Sequence, residues 1–150
     1  MKIKQGLPPF NLKNANIVIL GTFPGDTSLR SKEYYANNGN HFWGLLGLEK
    51  HDKNGLKELK IGLWDVIKSC DRDGSTDRKI RNATYNDLRV LAGKQIWFNG
   101  KTAYKYFLIA QRRQNIDLKV SDKQVLPSSS PSLHMDFATK KKKWGNIFKK

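Results

Sequence analysis

Apolar positions along the chain fall into a few short runs separated by polar stretches, and the order of those runs carries the first structural message. Asn16–Leu20 holds Ile17-Val18-Ile19-Leu20, a buried strand stopped by Gly21. Ile61-Gly62-Leu63-Trp64-Asp65-Val66-Ile67 is a second apolar segment, strand-like near its end. Gln95-Ile96-Trp97-Phe98-Asn99 is a third strand, closed by Gly100, and Lys123–Leu126 a short fourth. Between them lie helical patterns: Phe42–Gly47, Leu56–Lys60, and Thr102–Arg113 with Ala103, Tyr106, Phe107 and Ala110 on one face. Thr84 or Asn86 is placed to cap a further helix over Asp87–Ala92, with Gly93 as its stop. Near the C-terminus Phe137, Trp144 and Phe148 are expected on one helix face. The stretch from Cys70 to Asp87 reads as a polar excursion.

Strands alternating with helices predict an α/β fold with a parallel sheet covered on both faces. Ligands of such sheets bind beyond the carboxyl ends of the strands. Those ends carry Gly21–Gly25, Asp65–Cys70, Asn99-Gly100 and Pro127–Ser132, so the unusual loops should meet at one edge. After Gly25 the expectation is a long loop rather than a helix, running through Tyr34, Tyr35 and several asparagines to His41-Phe42-Trp43. At least two of those aromatics should fill a core beneath it.

At 150 residues the chain reads as one domain spanning 1–150. Charge changes the picture most: 28 Lys+Arg against 13 Asp+Glu leave a net +15, a field that favours a polyanion such as nucleic acid. Cys70 is alone, which excludes a disulfide framework and a cysteine zinc site. His41, His51 and His134 lack metal-ligand spacing, and the glycines match neither common phosphate cradle, so neither metal nor cofactor is expected. No apolar run reaches membrane-spanning length and the N-terminus lacks a signal-peptide core, predicting an intracellular (cytoplasmic) protein with no membrane partner.

Candidate chemistry stays ambiguous on residues alone. Gly21–Gly25 is either turn punctuation or a place where backbone approaches a ligand, with Phe23 as a stacking face. Asn40 is more simply a left-handed turn residue than a carboxamide that orients water. Asp65 is a cap or salt-bridge partner unless it points into the cleft. Pro127–Ser132 is a linker or a set of small hydroxyls and amides suited to phosphate. Lys140 to Lys143 form a solvated helix face in part, with others free for backbone contacts.

The ordered set "GLPPF…NIVILGTFPGDTSLRSKEYYANNGNHFWGLL", "IGLWDVIKSCDRDGSTD", "IWFNGKTA" and "LPSSSP…W" resembles the uracil-DNA glycosylase superfamily, and within it the hypoxanthine-DNA glycosylase branch, from about Gly6 to Trp144. The resemblance implies a three-layer α/β/α domain around a four-stranded parallel sheet. It implies a base pocket floored by Gly21, Thr22, Phe23, Pro24 and Gly25, with Asp65 near a base-reading position. Phe23 stands where better-known branches carry a water-positioning Asp or Asn, a departure that moves the catalytic role to Asn40 and reverses the reading from spacing. Pro127, Ser128, Ser129, Ser130 and Leu133 then belong to a DNA-gripping loop, in which Leu126 replaces the usual histidine. The implied activity is removal of deaminated bases, hypoxanthine first, from double- or single-stranded DNA, by a monomer without strand cleavage. Two alternatives stay open: a uracil or thymine glycosylase acting opposite guanine, and a non-catalytic nucleic-acid-binding module of the same fold.

Overall fold

The structure is a computed structural model and describes residues 3–149. Its centre is a four-stranded parallel sheet of β2 (Ile17–Gly21), β3 (Ile61–Asp65), β6 (Gln95–Asn99) and β7 (Val125–Leu126), in the order β3-β2-β6-β7. The two-fold alternation of strand side chains divides the core between the two faces. Val18, Leu20, Trp64, Ile96 and Phe98 face α4 (Lys101–Arg113), which buries Ala103, Phe107 and Ala110 against them. Ile19, Ile61, Leu63 and Trp97 face the other way, onto α2 (Phe42–Leu45), α3 (Lys53–Glu58) and α5 (Phe137–Trp144). The α/β/α expectation is met, with all four strand ends at one edge. Gly62 in β3 is fixed by crowding: a β-carbon there would lie 3.0 Å from that of Ala15 and 3.2 Å from the Phe10 carbonyl.

Several elements depart from the sequence expectation. The polar excursion is a hairpin, β4 (Ile67–Asp71) against β5 (Arg81–Tyr85), joined by β1 (Ile3–Gln5) into a separate antiparallel sheet. The Ile61–Ile67 segment is therefore two strands with a break at Val66. The chain after Gly25 enters a helix at once, α1 (Asp26–Ser31), and the long loop begins only beyond it. Neither Thr84 nor Asn86 caps a helix. Asp87 does, accepting the Arg89 N–H at 3.0 Å, over a 3-10 turn at Leu88–Leu91. The helix expected from Leu56 starts earlier because Asp52 accepts the Gly55 N–H at 2.9 Å. Residues Asp122–Gln124 form a 3-10 turn, leaving only Val125–Leu126 as strand. Phe148 lies beyond the end of α5 and, like Phe137, is exposed, whereas Trp144 is buried.

Candidate active site

The edge formed by the strand ends is assembled in layers. At the end of β2, the Gly21 and Thr22 carbonyls accept the Val66 and Ile67 N–H groups, so the Gly21–Gly25 turn lies along the junction of β3 and β4. Gly21 is tightly enclosed there: a β-carbon would stand 2.5 Å from Asp65 Oδ1 and 3.3 Å from the Tyr35 hydroxyl, so the Asp65 carboxyl would have to move. Asp65 closes β3 and is 5% exposed. Neither Asp65 Oδ2 nor the Tyr35 hydroxyl has a hydrogen-bond partner among the described residues. Burial, reinforced by the Asp77 carboxylate and opposed by Arg72, raises the Asp65 pKa to about 7. Burial likewise pushes the Tyr35 phenol up, with Asp65 adding to the effect. Two buried polar groups thus converge beneath Gly21 with unused hydrogen-bonding capacity.

Phe23 does not present the open stacking face expected of it. Its ring is 7% exposed, packed with Ile67 and Cys70, and its centroid is 5.0 Å from the Arg72 guanidinium carbon. Arg72 is the residue that sequence reasoning missed. It leaves the β4 strand into the hairpin loop, yet its side chain is wholly buried. There it donates to the Pro24 carbonyl at 2.7 Å and the Gly74 carbonyl at 2.8 Å. Asp26 lies 3.7 Å away and Asp77 3.9 Å, while Nη1 lacks a hydrogen-bond partner among the described residues. A lone arginine in a hydrophilic run carries no sequence signal of burial, because arginines are mostly exposed. Thr22 and Pro24 are buried beside it, and Gly25 caps α1.

The loop carrying Asn40 is built on aromatic packing. Tyr34 donates to the Pro8 carbonyl at 2.8 Å, Trp43 Nε1 to the Tyr35 carbonyl at 3.2 Å, and Tyr35 stacks on Phe42 at 4.0 Å. Tyr34, Phe42 and Trp43 all join the core, as expected for such a loop. The left-handed residues of this loop are Lys32, at φ 59°, and Tyr35, at φ 53°, and not Asn40. Instead Asn40 is half-buried, its N–H donates to the Asn37 carbonyl, and its Oδ1 accepts the Phe42 N–H at 2.9 Å at the start of α2. A carbonyl oxygen has two lone pairs, so this contact aims the carboxamide and leaves one acceptor site.

The fourth wall is Pro127–Ser132. Asn99, at the end of β6, clasps Ser129 twice: its Oδ1 accepts the Ser129 N–H and its Nδ2 donates to Ser129 Oγ, both at 2.9 Å. The Ser129 carbonyl accepts the His41 N–H at 3.0 Å, which ties this loop directly to the residue after Asn40. Trp144 Nε1 donates to the Pro127 carbonyl at 2.8 Å. Ser129 is buried, Ser128 and Ser130 are half-buried, and Leu133 is 37% exposed on the outside of the turn. Asn40, the Asp65–Tyr35 pair, the Gly21–Gly25 turn and the serine loop therefore sit on one edge. Two surface hollows lie elsewhere. One of about 640 Å³ borders Asn11–Asn14 and Lys94, next to the amino ends of β2 and β6. The other, about 170 Å³, is lined by Leu7–Phe10, Tyr34 and Trp43. The strand-end edge is the candidate site because ligands of parallel α/β sheets bind beyond the carboxyl ends of the strands.

Comparison with known proteins gives the family of the chain. The family model described as the uracil DNA glycosylase superfamily matches residues 8–147. A protein of Methanosarcina barkeri (strain Fusaro / DSM 804) named hypoxanthine DNA glycosylase is 36% identical over 162 aligned positions, covering 98% of this chain and 99% of its own length. One of the same name from Methanosarcina acetivorans is also 36% identical, with the same coverage. The solution NMR structure of a Methanosarcina acetivorans chain, described as a candidate uracil DNA glycosylase, superposes with a TM-score of 0.73 at 35% identity, covering 98% of this chain and 97% of that one. Family model, full-length similarity and fold agree, and the chain belongs to the uracil-DNA glycosylase superfamily as a DNA glycosylase.

Proposed function

We propose that the protein hydrolyses the N-glycosidic bond of deoxyinosine in DNA, releasing hypoxanthine without cutting the strand. The observation that carries the reading is the pair of full-length relatives named for that base, on a chain whose strand-end edge holds Asn40 with one aimed acceptor site. The target nucleotide must leave the helix, which costs a few kcal/mol and least for a weakly paired base. In the pocket, Asn40 Oδ1 accepts a hydrogen from the attacking water. A carboxamide is a poor proton acceptor, so bond breaking runs ahead of water attack: the base departs as an anion, the sugar becomes an oxocarbenium ion, and water adds to C1′ while its proton passes to the departed base anion. Asp65 in its neutral form and the Tyr35 hydroxyl donate to the departing purine, where donors aimed at developing charge count most. Main-chain groups of Gly21–Gly25, held by Arg72, form the pocket floor, with Thr22 and Pro24 beside Phe23 as packing. Pro127, Ser128, Ser129 and Ser130 seat the DNA backbone, and Leu133 fills the gap left in the duplex. The reaction as drawn uses no lysine nucleophile, metal or cofactor.

A second reading takes uracil or thymine opposite guanine, favoured by the structural relative described as a candidate uracil DNA glycosylase. Duplexes carrying one deoxyinosine, uracil or mismatched thymine, assayed for alkali-labile sites, separate the two. Release led by hypoxanthine is the expected result; release of uracil or thymine alone selects the second reading. No release from any of them, with DNA binding intact, leaves only a binding module. Strand breaks appearing before alkali treatment would contradict the monofunctional mechanism.

A further inference from the structure

The run Lys140–Lys143 does not behave as one surface. Lys141, Lys142 and Lys143 are exposed, while Lys140 is 0% exposed beneath the serine loop. Its Nζ donates to the Ser130 carbonyl at 3.1 Å. An ammonium has three donors and carries its charge wherever it sits, yet Lys140 belongs to none of the ion pairs among the described residues. Asp136, the acid of its own helix, is engaged in capping through the Thr139 N–H and hydroxyl. Burial pushes the Lys140 ammonium down, as for any charge held without a counter-ion. A buried lysine of this kind is expensive, and replacing such a charge by apolar atoms is often neutral or stabilising.

The loop above it shows what would complete the charge. The Ser130 carbonyl also accepts the Leu133 N–H, so the lysine grips the node of a tight turn. Ser128 Oγ accepts the Ser130 N–H, and the Ser130 and Ser132 hydroxyls share a hydrogen bond of 2.9 Å. A turn edged with hydroxyls over an uncompensated positive charge is complementary to an oxyanion. We propose that Lys140 is the counter-charge for one DNA phosphate seated on the Ser128–Ser132 turn, which it also positions through the Ser130 carbonyl. The proposal rests on the reading of that turn as a DNA-gripping loop, but its test does not depend on the base released.

Two variants separate charge from packing: Lys140→Met removes both charge and donor, and Lys140→Gln keeps an N–H donor without charge. Binding of a short undamaged duplex is measured across a salt series, with Tm in the absence of DNA and base release from a deoxyinosine duplex. Both variants are expected to fold with a Tm at or above wild type. The slope of log K against log salt should become shallower by about one, the value of one phosphate. Affinity near 0.1 M salt should fall roughly tenfold by the same relation. KM for the deoxyinosine duplex should rise while kcat stays within about threefold. A wild-type slope in both variants overturns the proposal, as does a slope lost in Met but kept in Gln, which would make the donor rather than the charge responsible. Loss of fold in both also overturns it, because a charge awaiting phosphate is not needed for folding. If wild type releases no base, the glycosylase reading fails while the slopes still decide Lys140.

Discussion

At the residue scale, the proposed site rests on buried and half-buried side chains with hydrogen-bonding capacity to spare. Asn40 is the clearest case, since the Phe42 N–H holds its carboxamide by one lone pair. Asn40→Ala should lower base release by at least about 10²-fold, the scale for losing one aimed polar group. It should cost about 1 kcal/mol of stability through the lost helix-start acceptor. Single-turnover kinetics with a denaturation curve separate the two effects, and DNA affinity should be largely kept. Asp65 gives a prediction in pH. Its folded pKa of about 7 stands above an ordinary unfolded value near 4, so between those limits the folded state binds the extra proton. Its contribution to stability is therefore most favourable below about pH 4 and declines as pH rises to about 7, by roughly 4 kcal/mol at most. Asp65→Asn should flatten that decline in Tm across the same window. It should also remove a fall in kcat above about pH 7, which wild type should show as the neutral donor ionises. A wild-type profile flat through pH 7 would contradict the donor role. Spacing alone made Asn40 a left-handed turn residue. The resemblance singled it out instead, and neither source could foresee that its own oxygen starts α2.

At the scale of elements, the periodic segments were readable and the weakly apolar ones were not. Each strand of the parallel sheet is buried on both faces, so it shows as an apolar run, and Thr102–Arg113 shows its stripe because one side packs on Phe98. The β4–β5 hairpin was hidden because its burial is irregular and its register shifts: Ile67, Ser69 and Cys70 are buried, but Lys68, Arg81, Asn82 and Thr84 are exposed. Helix α1 has six residues, fewer than two turns, too short for a period to register. Yet the hairpin reaches the site, because Arg72 joins its loop to Pro24. Arg72→Met should destabilise the fold by about 3 kcal/mol, since it leaves a buried carbonyl and nearby acids without their cation. Urea unfolding measures the loss, and a change below about 0.5 kcal/mol would mean that the hairpin does not hold the turn. Asn99 plays the same part for the opposite wall. Asn99→Ala removes both bonds to Ser129, and a rise in KM larger than any fall in kcat is the expected result.

For the whole molecule, charge and fold make separate contributions that one titration can divide. The topology was legible because alternating strands and helices permit few arrangements, and the order β3-β2-β6-β7 brings all four loops to one edge. The net charge of +15 is spread over the chain, exposed lysines such as Lys141, Lys142 and Lys143 included. No single base is recognised by such a field; it raises the local concentration of any duplex and releases counterions when one binds. Chemistry at the site, by contrast, involves groups shielded from bulk solvent, where salt screens little. Raising salt from 50 to 200 mM should therefore lower kcat/KM on a deoxyinosine duplex by at least about tenfold. Over the same range kcat at saturating DNA should change by less than about twofold, because screening does not reach the buried pair at Asp65 and Tyr35. Measuring both on one substrate makes the division quantitative. A kcat that falls in parallel with kcat/KM would place surface charge inside the chemical step and would require the site to be opened by the field of the whole protein.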